Sequence, residues 1–427
     1  MSAGAVDTIY ALSSGSPPAA IAVVRVSGPR ADDVVASLAG RLPEPRRASL
    51  AALKDAAGSL LDNALLLRFP GPGSATGEDL TEFHLHGGRA VVAAVLRAIA
   101  ALPGVRAAEP GEFTRRAYEN GRIDLAEAEG LADLLAAETE SQRRSALAAA
   151  GGALSRRVRE WEERLLALSA ALEAMLDFSD EGEVGETWPD GWHGSAQALA
   201  DEIGEELAKP GVERLRDGVR VVIAGPPNAG KSSLLNHLVQ RDAAIVAPVP
   251  GTTRDAIEVP LSIGGTPFLL TDTAGLRETD DAVEREGVDR ARQRLGEADI
   301  ILWLGPAEER PDGALIIASK SDLDAAPATA DLRVSAVTGD GIRELADLLI
   351  ARAADVLPGE GEVAFNARQR EALTGALAFL REASAANDPL LAAEALRLAR
   401  KHLDEVTGGS GIDAMLDSLF GRFCLGK

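Results

Sequence analysis

Hydrophobic and polar positions change period along this chain, and the changes divide it. Over residues 1 to about 120 the pattern is mixed. Ile21-Ala-Val-Val-Arg-Val-Ser-Gly predicts a strand running into a turn, and Leu65-Leu-Leu-Arg-Phe-Pro predicts a second strand stopped by proline. Thr81-Glu-Phe-His-Leu-His-Gly-Gly alternates as a half-buried strand should. Arg89 to Leu102 carries helical spacing and ends before Pro103-Gly104, and Glu109-Pro-Gly-Glu-Phe-Thr-Arg-Arg reads as a loop entering a short helix. From Ile123 to about Lys209 the period is helical. Leu125, Ala128, Leu131, Leu134 and Leu135 form one apolar stripe; Leu165, Leu168, Leu172, Met175 and Leu176 form another, with Gly151-Gly152 as a break. Phe178-Ser-Asp-Glu-Gly-Glu-Val-Gly-Glu-Thr-Trp-Pro reads as an acidic loop.

Residues from about 216 to 355 alternate strand and helix, as a doubly wound nucleotide domain does. Lys-Pro-Gly at 209–211 marks its entry and Leu357-Pro-Gly-Glu-Gly its exit. Helical spacing then resumes through Leu373, Leu377 and Leu380, and through Leu391, Leu396, Leu398 and Leu403. The expected architecture is multidomain: an N-terminal α+β domain over 1–120, a helical bundle in two parts over 121–214 and 357–427, and an inserted α/β nucleotide domain over 215–356.

That inserted segment carries the chemistry. Val219 to Ala224 leads as a strand into Gly225-Pro-Pro-Asn-Ala-Gly-Lys231-Ser232, which has the form G-x-x-x-x-G-K-S, and a helix follows. Glycines let successive N–H groups face an anion, and the helix N-terminus adds positive charge. Lys231 would reach the β- and γ-phosphates, and the Ser232 hydroxyl would ligate Mg²⁺. Gly251-Thr-Thr253-Arg-Asp offers a threonine hydroxyl to complete that coordination. Leu269-Leu-Thr-Asp272-Thr-Ala-Gly275 ends a strand in an acid that would hold Mg²⁺ through water, and the Gly275 N–H could sense the γ-phosphate. In Ser319-Lys320-Ser321-Asp322 the aspartate can accept from the guanine N1–H and exocyclic amine, donors that adenine lacks. Ser335-Ala336 would close the base pocket with a backbone N–H toward the guanine carbonyl. GTPases usually carry asparagine where this chain has Ser319, so weaker guanine affinity and discrimination are expected. Between Asp299 and Ser319 there is little room for a helix.

Composition narrows the class. The 427 residues include 44 basic and 66 acidic side chains, a formal charge of −22. This argues against a broad nucleic-acid-binding surface, while leaving open an RNA gripped by a local basic patch or delivered by a partner. A lone cysteine, Cys424, excludes a disulfide within the chain and fits a reducing compartment. No apolar run is long enough to span a bilayer and the first residues lack a secretory pattern, so a cytoplasmic, non-membrane protein is expected. His84 and His86 share one strand face, but no third ligand at metal spacing accompanies them, which favours a structural or surface role.

Nearly the full length resembles the tRNA-modification GTPase family MnmE, also called TrmE, in the TrmE–Era group of P-loop GTPases. The P-loop and Gly-Thr-Thr-Arg-Asp are typical of the wider group. More specific are Thr76-Gly-Glu-Asp with His86-Gly-Gly, Pro110-Gly-Glu-Phe-Thr-Arg-Arg-Ala, Ile123-Asp-Leu-Ala-Glu-Ala-Glu, and the ending Phe423-Cys424-Leu-Gly-Lys427. The resemblance implies an inserted Ras-like P-loop G domain, a folate-binding, dimerising N-terminal domain and a homodimer. It also implies a heterotetramer or larger assembly with the FAD-dependent partner MnmG (GidA). The implied activity is a potassium-activated GTP hydrolase acting in modification of certain tRNAs. A carboxymethylaminomethyl or aminomethyl group is added at C5 of the wobble uridine, position 34, from a tetrahydrofolate one-carbon unit (5-formyl- or 5,10-methylene-).

Residue by residue, the resemblance implies K⁺ ligands at Asn228, Thr252 and the backbones of Ala247 and Val249. A cation there can supply the charge that an arginine finger supplies elsewhere. Ser232 and Thr253 match Mg²⁺ ligands. The GTP-binding set is Asn228, Ala229, Gly230, Lys231, Ser232, Ser233, Thr252, Thr253, Asp272, Thr273, Ala274, Gly275, Lys320, Asp322, Ser335 and Ala336. Glu284 matches a glutamate that orients the attacking water; by itself it reads as a solvated helix charge. Arg25, Glu82, Arg122 and Lys427 match folate-contacting positions, Arg122 standing where the family commonly has lysine. Cys424 reads equally as a catalytic thiol or as a small residue packed near the folate pocket. Of two other readings, a ribosome-assembly switch is disfavoured by the Cys424-Leu-Gly-Lys ending, the N-terminal motifs and the lack of a basic RNA-binding module, while a folate- and partner-binding scaffold without turnover is kept open by Ser319.

Overall fold

The alternation of the first hundred residues becomes a six-stranded sheet. The structure is a computed structural model describing residues 7–179, 188–242, 258–272, 294–323, 330–359 and 362–408, with 416, 419–421, 423 and 426. The strands are β1 (Thr8–Leu12), β2 (Ile21–Ser27), β3 (Ser49–Lys54), β4 (Leu60–Phe69), β5 (Leu80–His86) and β6 (Val105–Ala107), in the order β3-β4-β5-β2-β1-β6. Only β1 and β6 run parallel. Helices α1 (Ala31–Ala39) and α2 (Arg89–Ala100) cover one face, burying Val24, Val26, Phe83 and Leu85 against Val34, Val35, Val92, Val95 and Ile99. Each such side chain contributes about 1.5–3 kcal/mol on burial. Phe113, on α3 (Glu112–Glu119), packs with Ile9 and Ala11.

Residues 407–427 belong to this first compact unit, with residues 1–132. Leu416, Leu419, Phe420 and Phe423 bury themselves with Leu125 and Ala128. Two glycines permit the docking. Gly111 sits at φ +71°, and a Cβ there would stand 2.2 Å from the Phe420 carbonyl oxygen. A Cβ on Gly426, at φ +89°, would stand 2.4 Å from the Leu12 carbonyl oxygen. Neither backbone approach tolerates a side chain.

The second unit, residues 133–406, holds helices and a second sheet. After α4 (Leu125–Ala136) come α5 (Glu140–Ala150), α6 (Ala153–Ser179), α7 (Trp192–Ala208) and α8 (Glu213–Asp217). Leu165, Leu168 and Leu172 of the expected α6 stripe are buried, and Trp161 on the same helix stacks on Phe365 with ring centroids 6.2 Å apart. Phe178 and Ser179 close α6 and are not loop; the rest of that acidic stretch, through residue 187, lies outside the described residues. In the α4 stripe Leu125 and Ala128 are buried, but Leu135 is exposed.

Sheet two comprises β7 (Val219–Ala224), β8 (Glu258–Ile263), β9 (Thr266–Asp272), β10 (Ile300–Trp303), β11 (Leu315–Ala318) and β12 (Leu332–Arg333). Its order is β12-β11-β10-β7-β9-β8, parallel except for β8. β7 and β11 are nearly continuous apolar runs, as strands covered on both faces require. Helices α9 (Lys231–Asp242) and α10 (Ile342–Ala353) pack against the sheet through Leu234, Leu235, Leu238, Ile342, Leu345 and Leu349. Only a short 3₁₀ turn, Ala307–Glu309, lies between β10 and β11. The tip of the β8–β9 hairpin, Gly264-Gly265, meets the start of α5. There the backbone N–H and the hydroxyl of Ser141 both donate to the Gly265 carbonyl, at 3.2 and 2.7 Å. The neighbouring Gln142 amide donates to the carbonyls of Leu215 and Arg216, both at 3.1 Å.

Helices α11 (Ala367–Ala385) and α12 (Pro389–Thr407) complete the unit. Leu373, Leu377 and Leu380 are buried as their spacing predicts. On α12 the buried line is Ala392, Ala395, Leu396, Ala399 and Leu403, while Leu391 is 63% exposed. The stripe there runs through alanines, which let helices approach closely, rather than through every leucine.

Candidate functional site

Strand β7 delivers the chain into the glycine loop, and α9 starts at Lys231. The register of the parallel pair sets Ile223 beside Asp272, so the acid ending β9 lies next to the strand that enters the loop. The Ser232 hydroxyl donates to Asp272 Oδ2 at 2.5 Å. A hydroxyl and a carboxylate brought together are hard oxygen donors, the set that Mg²⁺ prefers. Lys231 is buried, and its ammonium donates to the Gly225 and Pro226 carbonyls at 2.8 and 2.9 Å. Asn228 holds a left-handed conformation, φ 61°, that asparagine tolerates better than most residues. Ala229 and Gly230 follow it, and Ser233 stands in the first turn of α9.

The opposite end of the site comes from the loops after β11 and β12, neighbouring parallel strands with Ala318 beside Arg333. Their carboxyl ends are where open α/β sheets bind ligands. Ser335 is fully buried, and its hydroxyl donates to Asp322 Oδ1 at 2.7 Å. The same oxygen accepts the N–H groups of Val337 and Thr338, both at 3.2 Å, which fixes it as a donor toward the carboxylate. Asp322 is thereby oriented while remaining exposed.

Three cross-links tie this end to the phosphate loop, and sequence reasoning identified none of them. The Ser319 hydroxyl donates to the Ala229 carbonyl at 2.5 Å, so serine makes a brace to the loop from the position where asparagine is usual. The Lys320 ammonium donates to the Asn228 carbonyl at 2.7 Å. On α9, His237 Nδ1 donates to the Ala336 carbonyl at 2.8 Å. The motif residues are legible, but no spacing rule singles out a histidine two turns into the helix. Of the other expected nucleotide and cation positions, Ala247, Val249, Thr252, Thr253, Thr273, Ala274, Gly275 and Glu284 lie outside the described residues.

In the first unit the register sets Arg25 opposite Glu82, and Arg25 Nε donates to Glu82 Oε1 at 2.8 Å. Burial by itself would raise the Glu82 pKa. The Arg25 hydrogen bond and charge, with His84 at 3.1 Å, outweigh it and hold the carboxyl below its usual range. Arg122 follows α3, exposed, with its stem beside Gly77. Cys424 and Lys427 lie outside the described residues. His86 pairs with Asp62, ring Nδ1 to Oδ1 at 2.7 Å and backbone N–H to Oδ2 at 2.8 Å. Each histidine therefore has a carboxylate partner, and among the described residues no cluster of three His, Cys, Asp or Glu could hold a metal.

The N-terminal motifs meet in one ion network. Buried Arg116 contacts Asp7, Glu112 and Glu78 at 2.7, 2.9 and 3.1 Å, and Arg106 reaches Glu112 at 2.6 Å. Ser27 donates to Glu78 at 2.8 Å. Thr76-Gly-Glu-Asp and Gly-Glu-Phe-Thr-Arg-Arg are thus two sides of one latch.

Known proteins resemble this chain along its whole length. The family model of the GTP-binding protein TrmE N-terminus matches residues 8–122, and that of the MnmE helical domain matches residues 125–424. A tRNA modification GTPase MnmE of Erythrobacter litoralis is 57% identical over 424 residues, covering 99% of this chain and 100% of that protein. Its counterpart in Rhizorhabdus wittichii is 58% identical over 433 residues, covering 100% and 98%. That of Novosphingobium aromaticivorans is 54% identical over 435 residues, covering 99% and 100%. Among the described residues no helix is long and apolar enough to cross a membrane. With both family models matched in order, and with relatives this similar along their whole length, the chain belongs to the MnmE family of tRNA modification GTPases.

Proposed function

We propose that this GTPase is activated by potassium and works as a homodimer with an FAD-dependent MnmG (GidA) partner in a heterotetramer or larger assembly in the cytoplasm. Together they add a carboxymethylaminomethyl or aminomethyl group to C5 of uridine 34 in certain tRNAs, from a 5-formyl- or 5,10-methylene-tetrahydrofolate unit. In this reading the domain borders are 1–120, 121–214, 215–356 and 357–427. The observation that carries the GTP part is the Ser335-oriented carboxylate of Asp322, on a loop that Ser319 and Lys320 hydrogen-bond to the phosphate loop.

Lys231 would neutralise β- and γ-phosphate charge, and Ser232, with Thr253, would hold Mg²⁺ beside Asp272. Asn228, Thr252 and the backbones of Ala247 and Val249 would hold K⁺, whose charge stabilises the transition state. Glu284 would orient the attacking water, and the Gly275 N–H would report the γ-phosphate. Arg25, Glu82, Arg122 and Lys427 would hold the folate, with Cys424 beside it.

The test is GTP turnover by the purified protein in potassium against sodium at equal ionic strength. Clear stimulation by potassium is expected. Equal turnover in the two salts would remove the cation site.

A further inference from the structure

The Ser319 hydroxyl is committed. It carries one proton, and that proton goes to the Ala229 carbonyl at 2.5 Å. Lys320, at φ 59°, is drawn onto the adjacent carbonyl of Asn228. Two successive residues of the base loop are therefore stitched to two successive carbonyls of the phosphate loop.

Guanine presents the N1–H and 2-amino donors on one edge and the O6 and N7 acceptors on the other. With Asp322 taking the donors and the Ala336 N–H taking O6, N7 falls to residue 319. An asparagine amide has two N–H donors and can serve loop and base together. A serine cannot, once its proton has been given to Ala229. We propose that Ser319 is a positioning residue that locks the phosphate loop to the base pocket and does not read N7, so that this chain selects guanine without its imidazole edge. The proposal rests on the reading of Asp322 as the guanine-recognising residue. Its chemical consequence is that 7-deazaguanine nucleotides are ligands equal to GTP.

Binding of GTP, 7-deaza-GTP and ATP to the full chain, measured by calorimetric titration, tests this, and the first arm needs no variant. The unaltered protein is expected to bind GTP and 7-deaza-GTP within about twofold of one another, a gap smaller than one hydrogen bond supplies. Ser319→Asn is expected to open a preference for GTP of roughly fivefold, the worth of one restored contact. Ser319→Ala is expected to weaken both nucleotides by the same factor, since only the brace is lost. A fivefold or larger preference for GTP over 7-deaza-GTP in the unaltered protein would overturn the proposal and leave the Asp322 reading intact. Undiminished binding by Ser319→Ala would overturn the bracing role. Equal binding of GTP and ATP would remove the Asp322 reading itself, and the proposal with it.

Discussion

Gly111 presents its bare Cα to the carbonyl of Phe420, so closely that a methyl group could not enter. The start of α3 and the C-terminal segment are in this way one packing unit. Gly111→Ala combines the clash with a left-handed backbone costing roughly 1–2 kcal/mol for a residue bearing a Cβ. Faster hydrogen exchange at Leu416, Leu419, Phe420 and Phe423 is the expected result, with GTP turnover unchanged. Exchange equal to that of the unaltered protein would show that the segment is held elsewhere.

Ser335→Ala deprives the N–H groups of Val337 and Thr338 of their acceptor. It also releases Asp322. A loss of about 1 kcal/mol in stability is expected from the lost hydrogen bonds, since water can reach the freed N–H groups. GTP affinity should fall with it, because the carboxylate is no longer held in one rotamer. Chemical denaturation and nucleotide titration of the same variant separate the two effects.

Asp322→Asn exchanges an acceptor pair for one acceptor and one donor. Binding should move from GTP toward XTP, whose ring offers the complementary pattern. Two charge-assisted hydrogen bonds are at stake, so GTP affinity should fall roughly 100-fold or more. Unchanged selectivity would take Asp322 out of base recognition.

The latch around Arg116 sets an acid limit. Burial would raise the Glu112 pKa, but hydrogen bonds from Arg106, the Glu109 N–H and Arg116 outweigh it; for Asp7, Arg106 and Arg116 outweigh burial likewise. Both carboxyls are therefore lower in the folded state than in the unfolded chain. Their contribution is complete above about pH 4.5, the unfolded value, and is lost as pH falls through the depressed folded values. Arg116→Met removes the partner of three carboxylates and is expected to cost about 3 kcal/mol. Calorimetry of the full chain against pH should show the N-terminal transition falling in acid, with a shallower fall in the variant.

Removing the last four residues, Cys424 to Lys427, tests the folate reading. Binding of a reduced folate should be abolished while GTP turnover is kept. Retained folate affinity would end the assignment of Lys427.

What the sequence made legible was local. The phosphate loop, Asp322 and Ser335 are short motifs whose chemistry travels with them, and β2, β5 and α2 have clear periods. β3, Ser49-Leu-Ala-Ala-Leu-Lys, carries few of the β-branched and aromatic residues that mark strands, and went unread; it pairs with β4 along the sheet edge. Leu391 carries the helical spacing but is exposed, and the packed positions beside it are Ala392 and Ala395. Least legible were the cross-links. Ser319 and Ala229 are ninety positions apart, and His237 and Ala336 ninety-nine, so only the folded sheet reveals them.

The hairpin tip at Gly264-Gly265 carries a mechanical consequence. Its two strands begin at Glu258 and end at Asp272, the acid that accepts from the Ser232 hydroxyl. Its far end is anchored to the first turn of α5 by the two hydrogen bonds from Ser141 to Gly265. A slide of the hairpin by one residue, about 3.4 Å, exceeds the reach of both bonds. The strands and the helix must then travel as one strut, or part at that joint.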